Sequence, residues 1–107
     1  MNAIQGVLSE ELQNSERMLK KYQEALAALP KGSLVEKKIR ERKFYYLAHR
    51  DGKRVKFVYK GKLDPKEVAR YQEAKKLRAK YRKLISDLKE QLRFLKRALH
   101  ERKRRSA

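Results

Sequence analysis

The sequence predicts a mostly helical α+β protein in which two long helices flank a small antiparallel β-sheet. Three observations predict this fold. Apolar residues recur at steps of three and four towards both ends of the chain, the middle alternates with a period of two, and an Asp-Gly pair separates two aromatic-rich runs. We expect a single domain over residues 1–107, with a helix over 1–30, a basic β-meander over 31–62, and a long helix with a basic tail over 63–107.

The first helix is predicted by a heptad stripe that is apolar except at Ser15. Ser9, followed by two acids, is the predicted N-terminal signal, and residues 1–8 are expected to fray or to continue as a poorer turn. Pro30 ends the helix, because proline cannot continue it. The stripe consists of Leu8, Leu12, Ser15, Leu19, Tyr22, Leu26 and Leu29.

The second helix is predicted to begin at Asp64, an N-cap residue followed by Pro65 at the first helical position. No Gly or Pro interrupts residues 66–105, so we expect a helix of about 40 residues. Residues 102–105 lose the apolar stripe and are expected to fray into a basic tail. The stripe consists of Tyr71, Ala74, Arg78, Tyr81, Ile85, Leu88, Leu92, Leu95 and Leu99.

Two helices joined by a compact insertion are expected to fold back as an antiparallel pair. Because the second helix is the longer one, its residues Leu95 and Leu99 are expected to lie uncovered beyond the first helix. A two-helix pair is also thin, since each helix buries only one stripe. Both points predict a homodimer, or a helical bundle that another protein completes.

The β-meander is centred on Asp51-Gly52, whose two-residue turn would pair Arg50 with Lys53. This register gives a face that we name the aromatic face: Phe44, Tyr46, Ala48, Val55, Phe57 and Tyr59. The opposite face, named the basic face, consists of Tyr45, Leu47, His49, Arg54, Lys56, Val58 and Lys60. We expect the aromatic face to cover the helices and the basic face to meet solvent.

A further strand is predicted over residues 33–39, returning through the turn that begins at Arg40. It adds Val35 and Ile39 to the aromatic face, where Lys37 also falls, awkwardly for a core position. It adds four residues to the basic face: Leu34, Glu36, Lys38 and Arg40.

Four segments of the meander resemble a pattern found in small uncharacterised prokaryotic and mobile-element proteins. They are Leu29-Pro30-Lys31-Gly32-Ser33, Phe44-Tyr45-Tyr46-Leu47, Arg50-Asp51-Gly52-Lys53 and Tyr59-Lys60-Gly61-Lys62. The resemblance covers residues 29–62 and implies a prokaryotic or phage setting, with no activity to carry over. That family often has Gly in the first turn, where this chain has Glu41. The order of three strands and then a helix also resembles small DNA-binding domains of integrases.

Charge is distributed unevenly over the chain. The net charge of +18 divides into −1 for residues 1–30, +9 for residues 31–62 and +10 for residues 63–107. Such asymmetry is typical of a protein that binds a polyanion. The alternative is that Lys and Arg only solvate long helices, but Glu usually balances Lys in such helices and does not do so here.

The basic face is the predicted nucleic-acid surface, because cations fix phosphates while Tyr and His stack on bases or hydrogen-bond to their edges. The predicted residues are Lys38, Arg40, Lys43, Tyr45, His49, Arg54, Lys56 and Lys60. The alternative is a solvated β face whose lysines discourage association of sheet edges. The second helix offers a further basic surface that can track phosphates without specificity. The alternative is that its cations form only the polar face of a coiled coil, which is the more common case for a heptad helix.

Other classes of function are not expected. The sequence has no Cys, no glycine-rich phosphate loop and no nucleophile motif, so we predict no enzyme, no metal, no cofactor and no small-molecule substrate. Residues 1–6 do not resemble a signal peptide and no apolar run spans a bilayer, so a cytoplasmic protein without a membrane partner is expected. The main alternative to nucleic-acid binding is an interaction module whose helices complete a partner's bundle, as an accessory factor or inhibitor of a nucleoprotein complex.

Overall fold

A computed structural model describes residues 2–106, and the side chains of residues 2–104. It confirms the predicted α+β fold, mostly helical, with two long helices and a three-stranded antiparallel sheet in the order β1-β2-β3. The elements in chain order are α1 (Ala3–Ala28), β1 (Ser33–Ile39), β2 (Arg42–Asp51), β3 (Arg54–Gly61) and α2 (Pro65–Ser106).

The chain forms two compact units. The helix-pair unit contains the residues up to Ala28 and those from Lys80 onward, and the sheet unit is Leu29–Ala79. α2 contributes its first part to the sheet unit and the remainder to the helix-pair unit.

α1 begins before the predicted signal at Ser9. Asn2 is the N-cap: the Gln5 backbone N–H donates to Asn2 Oδ1 at 2.8 Å, and the Asn2 backbone N–H donates to Gln5 Oε1 at 3.3 Å. This reciprocal pair is a capping box built from amides, which satisfies two backbone donors that a helix start leaves without partners. Residues 3–8 are therefore helical, and α1 ends at Ala28, two residues before Pro30.

α2 begins as predicted. The Lys66 backbone N–H donates to Asp64 Oδ1 at 2.8 Å, so Asp64 is the N-cap and Pro65 is the first helical residue. The predicted fraying of residues 102–105 is wrong, since α2 continues through Ser106. Lys and Arg are good helix formers, and cations at a helix C-terminus interact favourably with its dipole. The side chain of Arg105 in this tail lies outside the described residues.

The helix-pair unit has the predicted antiparallel packing. Ser15, the polar member of the α1 stripe, is 1% exposed and accepts a hydrogen bond of 2.8 Å from Gln91 Nε2. Further along, the rings of Tyr22 and Tyr81 lie 5.9 Å apart. The buried apolar residues of α2 in this unit all belong to the predicted stripe: Ile85, Leu88, Leu92 and Leu95.

The predicted overhang of α2 is wrong at Leu95, which is only 6% exposed, while Leu99 is half-buried. The Ser15–Gln91 contact explains the difference. Antiparallel helices advance in opposite directions with equal rise, so Leu95 lies opposite the turn of α1 that precedes Ser15. Because α1 starts at Ala3, that turn and the one before it are present to cover Leu95. One of the two reasons for predicting a homodimer is thus removed.

The connection between α1 and β1 is held by Arg78, a stripe residue of α2. Its guanidinium donates from Nη2 to the Gly32 carbonyl oxygen at 2.8 Å and from Nη1 to the Pro30 carbonyl oxygen. Gly32 itself has φ +98°, and a Cβ there would lie 2.9 Å from the Ala48 carbonyl oxygen. The chain therefore enters the sheet through a glycine-dependent bend fixed by one cation.

The second hairpin has a different register from the one predicted. Asp51 pairs with Arg54, so the two-residue loop is Gly52-Lys53 and the predicted pairing of Arg50 with Lys53 is wrong. Gly52 has φ +63° and Lys53 does not have a positive φ, which is the sign pattern of a type II′ turn with Gly first. Both Asp51-Gly52 and Gly52-Lys53 can form the two-residue loop of a tight hairpin. The Asp-Gly pair therefore predicts the position of the turn only to within one residue.

This shift keeps the side chains between Tyr46 and Tyr59 on their predicted faces. Directly paired residues share a face, and Tyr46 pairs with Tyr59 while Leu47 pairs with Val58. The loop moves by one residue along the chain, so each β2 residue pairs with a β3 residue two positions beyond the predicted one. A change of two positions preserves the alternation of side chains between the two faces. Towards its end the β2–β3 pairing contains a bulge, and Lys60 has no direct partner in the register.

The first hairpin contains backbone strain that glycine would relieve. Ile39 pairs with Arg42, and both loop residues have positive φ, 50° at Arg40 and 67° at Glu41. This is the type I′ pattern, which normally takes Asn or Gly because a side chain clashes in the left-handed region.

We expect Glu41→Gly to stabilise the protein by about 0.5–1 kcal/mol, since the relief of strain exceeds the added entropy of the unfolded chain. Urea unfolding followed by circular dichroism measures this change. Glu41→Gln is the control, because it removes the charge and keeps the side chain. An equal gain in the Gln variant would contradict the backbone explanation.

Candidate nucleic-acid interface

The basic face of the sheet, not the aromatic face, packs against the start of α2. Tyr45 is 9% exposed and lines two adjoining recesses together with Val68 and Gln72 of α2. The prediction that Tyr45 is exposed, and that the aromatic face forms the core, is therefore wrong. The centre of the basic face is apolar, since Leu34 and Leu47 flank Tyr45, and this centre provides the packing surface.

The cations of the basic face surround this packed centre. Lys43 Nζ lies 3.4 Å from Glu36 Oε1, and Lys56 Nζ lies 2.7 Å from Asp51 Oδ2. Glu36 and Asp51, the two carboxylates of the strands, thus lie on the basic face. Their partners Lys43 and Lys56 are two of the residues predicted to bind phosphate.

The register brings several of the predicted residues together, with Lys38 beside Lys43 and His49 beside Lys56. Lys38 and Arg54 are exposed on the basic face, and His49 on the same face is half-buried. Arg40 belongs to the first loop and Lys60 to the bulge. Burial of Tyr45 removes its ring from the predicted surface, and phosphate binding by the remaining residues of the basic face stays a prediction.

The aromatic face is the exposed surface of the sheet. Phe57 is 62% exposed and Tyr59 is 58% exposed, while Tyr46 is half-buried. The rings of Tyr46 and Tyr59 lie 5.2 Å apart at an interplanar angle of 55°. Val35 and Val55 on the same face are also exposed. Apolar and aromatic side chains grouped on one open surface are typical of an interaction site.

Three cations share this face with the rings. The register places Lys37 beside Phe44, Arg42 beside Ile39, and Arg50 beside Val55. All three cations are exposed. No Asp or Glu of the three described strands lies on the aromatic face, because Glu36 and Asp51 are both on the other side. The aromatic face thus combines rings with unopposed positive charge.

α2 carries a second set of exposed cations, which agrees with the predicted basic helix. The exposed residues include Lys75, Lys76, Lys80, Arg82, Lys83, Lys89, Arg93, Lys96 and Arg97. Charges that are exposed along a helix interact with a phosphate backbone through solvent and lose that attraction as salt rises.

Among the described residues, no three His, Asp or Glu side chains come together in a way that would hold a metal ion. None of the helices in residues 2–106 is both long enough and apolar enough to cross a bilayer.

The positions of three cations in the sequence indicate that the aromatic face is exposed, which the prediction of a buried aromatic face did not take into account. Lys37, Arg42 and Arg50 all alternate onto the aromatic face, and burying that face would have buried three cations without a carboxylate to pair with. The basic face, by contrast, keeps its cations at the periphery of an apolar centre.

The fold and these surfaces define a small α+β protein that combines a helix pair with an open, cation-bearing sheet. Residues 8–70 match the family described as Domain of unknown function (DUF6788), which is more than half of the chain, and the protein belongs to that family. The matched segment contains the β-meander segment, residues 29–62. Comparison with curated proteins and with solved structures gives no match.

Proposed function

We propose that this protein is a non-enzymatic nucleic-acid-binding protein. The observation that carries the proposal is the excess of exposed cations from residue 31 onward, where two segments with net charges of +9 and +10 follow a nearly neutral start. A polyanion is the partner that such a charge distribution attracts most strongly, because neutralising phosphates releases condensed counterions. The exposed Lys and Arg of α2 provide the sequence-independent part of this attraction.

The proposal is tested by binding to labelled duplex DNA, single-stranded DNA and RNA across a salt titration, with heparin as competitor. We expect a steep salt dependence and a preference for one nucleic acid that persists in heparin. Equal binding to all three ligands, abolished by heparin, would mean that charge alone acts and would contradict a dedicated function.

Neutralising α2 cations tests the region responsible. We expect Lys89→Gln with Arg93→Gln to weaken binding of every ligand and to lower the salt slope by about 1–2, since each phosphate contact contributes about 0.7–0.9 to the slope. The matched control is Lys20→Gln with Lys21→Gln on α1, two exposed lysines in the nearly neutral segment. An equal loss in both double variants would show that only total charge matters.

A second candidate function is favoured by a different observation. Among the described residues, the helix-pair unit exposes the large apolar side chains of Ile4, Val7, Met18 and Phe94, and the last of these is 61% exposed. Such residues suit a partner helix that completes a bundle, or a second copy of the chain. The homodimer stays a prediction, and light scattering in solution tests it: a mass of 12.8 kDa, that of one chain, would contradict it.

A further inference from the structure

We propose that the aromatic face binds single-stranded nucleic acid by stacking bases on Phe57 and Tyr59. This inference rests on the proposed function and specifies its ligand class and its surface. Phosphates would be held by the three cations of the same face, Lys37, Arg42 and Arg50. The site that the sequence predicted on the opposite face is thereby replaced.

The surroundings of the two rings suit stacking. Phe57 lies beside Ala48, which in turn pairs with Ser33, so the row next to this ring consists of small side chains. Tyr59 contacts Tyr46, which restricts its motion. Alternate residues of one strand are about 7 Å apart on the same face, so each ring can receive its own base. Flat aromatic side chains on an open sheet bind bases irrespective of sequence, since every base has a π face.

The charge of the face decides between possible occupants. A second copy docked through the same face would enclose two sets of Lys37, Arg42 and Arg50 in one interface, with no carboxylate of the described strands on that face to pair with them. A duplex satisfies the cations but keeps its bases stacked on one another, so the exposed rings would gain no π contact. A single strand supplies both phosphates and free base faces.

The experiment measures fluorescence anisotropy of a labelled oligothymidylate, an abasic strand of equal phosphate count, and a duplex. We expect the wild-type protein to bind oligothymidylate about tenfold or more tightly than the abasic strand, because stacking contributes substantially per base. Phe57→Leu and Tyr59→Leu should each lower affinity for oligothymidylate by about tenfold and leave abasic binding and the salt slope unchanged. Tyr59→Phe should retain most of the affinity, since it keeps the ring.

Phe94→Leu is the matched control, because Phe94 and Phe57 are almost equally exposed, at 61% and 62%. Circular dichroism establishes that each variant is folded, and Phe57→Leu alone tests stacking if Tyr59→Leu does not fold. Oligothymidylate affinity that is unchanged in Phe57→Leu and in Tyr59→Leu would overturn this inference and leave the proposed function intact. Absence of binding to all three ligands at physiological salt would overturn the proposed function itself, and with it this inference.

Discussion

Gly32→Ala is expected to destabilise the protein by about 2–4 kcal/mol, because two unfavourable effects coincide at this position. The backbone has φ +98°, a conformation that a residue with Cβ adopts only under strain. The added Cβ would also lie 2.9 Å from the Ala48 carbonyl oxygen and 3.0 Å from the Leu47 side chain. The backbone oxygen belongs to a paired strand and cannot move alone, so β1 and β2 must separate locally.

The same substitution at Gly6 provides the control. Gly6 lies inside α1, and a Cβ there meets nothing within 4 Å. Alanine is the better helix former, so Gly6→Ala should stabilise the protein by about 0.5–1 kcal/mol. Urea unfolding of both variants measures the two effects. The opposite signs are the test: a Gly32→Ala variant as stable as the wild type would contradict the described entry into the sheet.

Arg78→Met is expected to lower the free energy of unfolding by about 2–3 kcal/mol, since hydrogen bonds to a charged group contribute about 1.5–3 kcal/mol to stability. Met keeps the aliphatic part of the side chain but leaves the Pro30 and Gly32 carbonyl oxygens without their donors. Arg78→Lys should have an intermediate effect, because one ammonium does not reproduce the two-pronged geometry of a guanidinium.

Arg82→Met is the control for this prediction, as it removes an exposed cation from the next turn of α2. Loss of one positive charge from a chain of net +18 weakens self-repulsion, so this variant should be as stable as the wild type or slightly more so. Thermal and urea unfolding of the two variants are compared. A loss of equal size in both variants would contradict a stabilising role specific to the two carbonyl contacts of Arg78.

The sequence was sufficient to predict the helices and their stripes, because periodicity and capping are local. Asp64 caps α2 as expected, and Ser15 lies in the buried stripe of α1. The start of α1 was missed because its capping box uses the amides Asn2 and Gln5 in place of a hydroxyl and an acid. That error in one boundary led directly to the wrong prediction for Leu95.

The candidate site was less predictable, because the choice between two faces of a sheet is made by tertiary packing. Alternation correctly assigned residues to faces but could not decide which face meets a helix. The number of aromatic rings on the face with Phe57 and Tyr59 favoured its burial. The free-energy penalty for burying the unpaired cations of that face opposes its burial. Tyr45 and the neighbouring Leu34 and Leu47 give the basic face enough apolar surface to pack against the start of α2.

The bulge at Lys60 and the cations of the two outer strands have a consequence for assembly. β1 and β3 form the edges of the three-stranded sheet, and both carry cations: Lys37 and Lys38 on β1, Arg54 and Lys56 on β3. Copies that approach edge to edge meet like charges and an irregular ladder, which keeps an uncovered aromatic sheet from polymerising. On the proposed function, a bound polyanion would neutralise that repulsion. Copies would then crowd along one strand, with cooperative occupancy, only where that ligand is present.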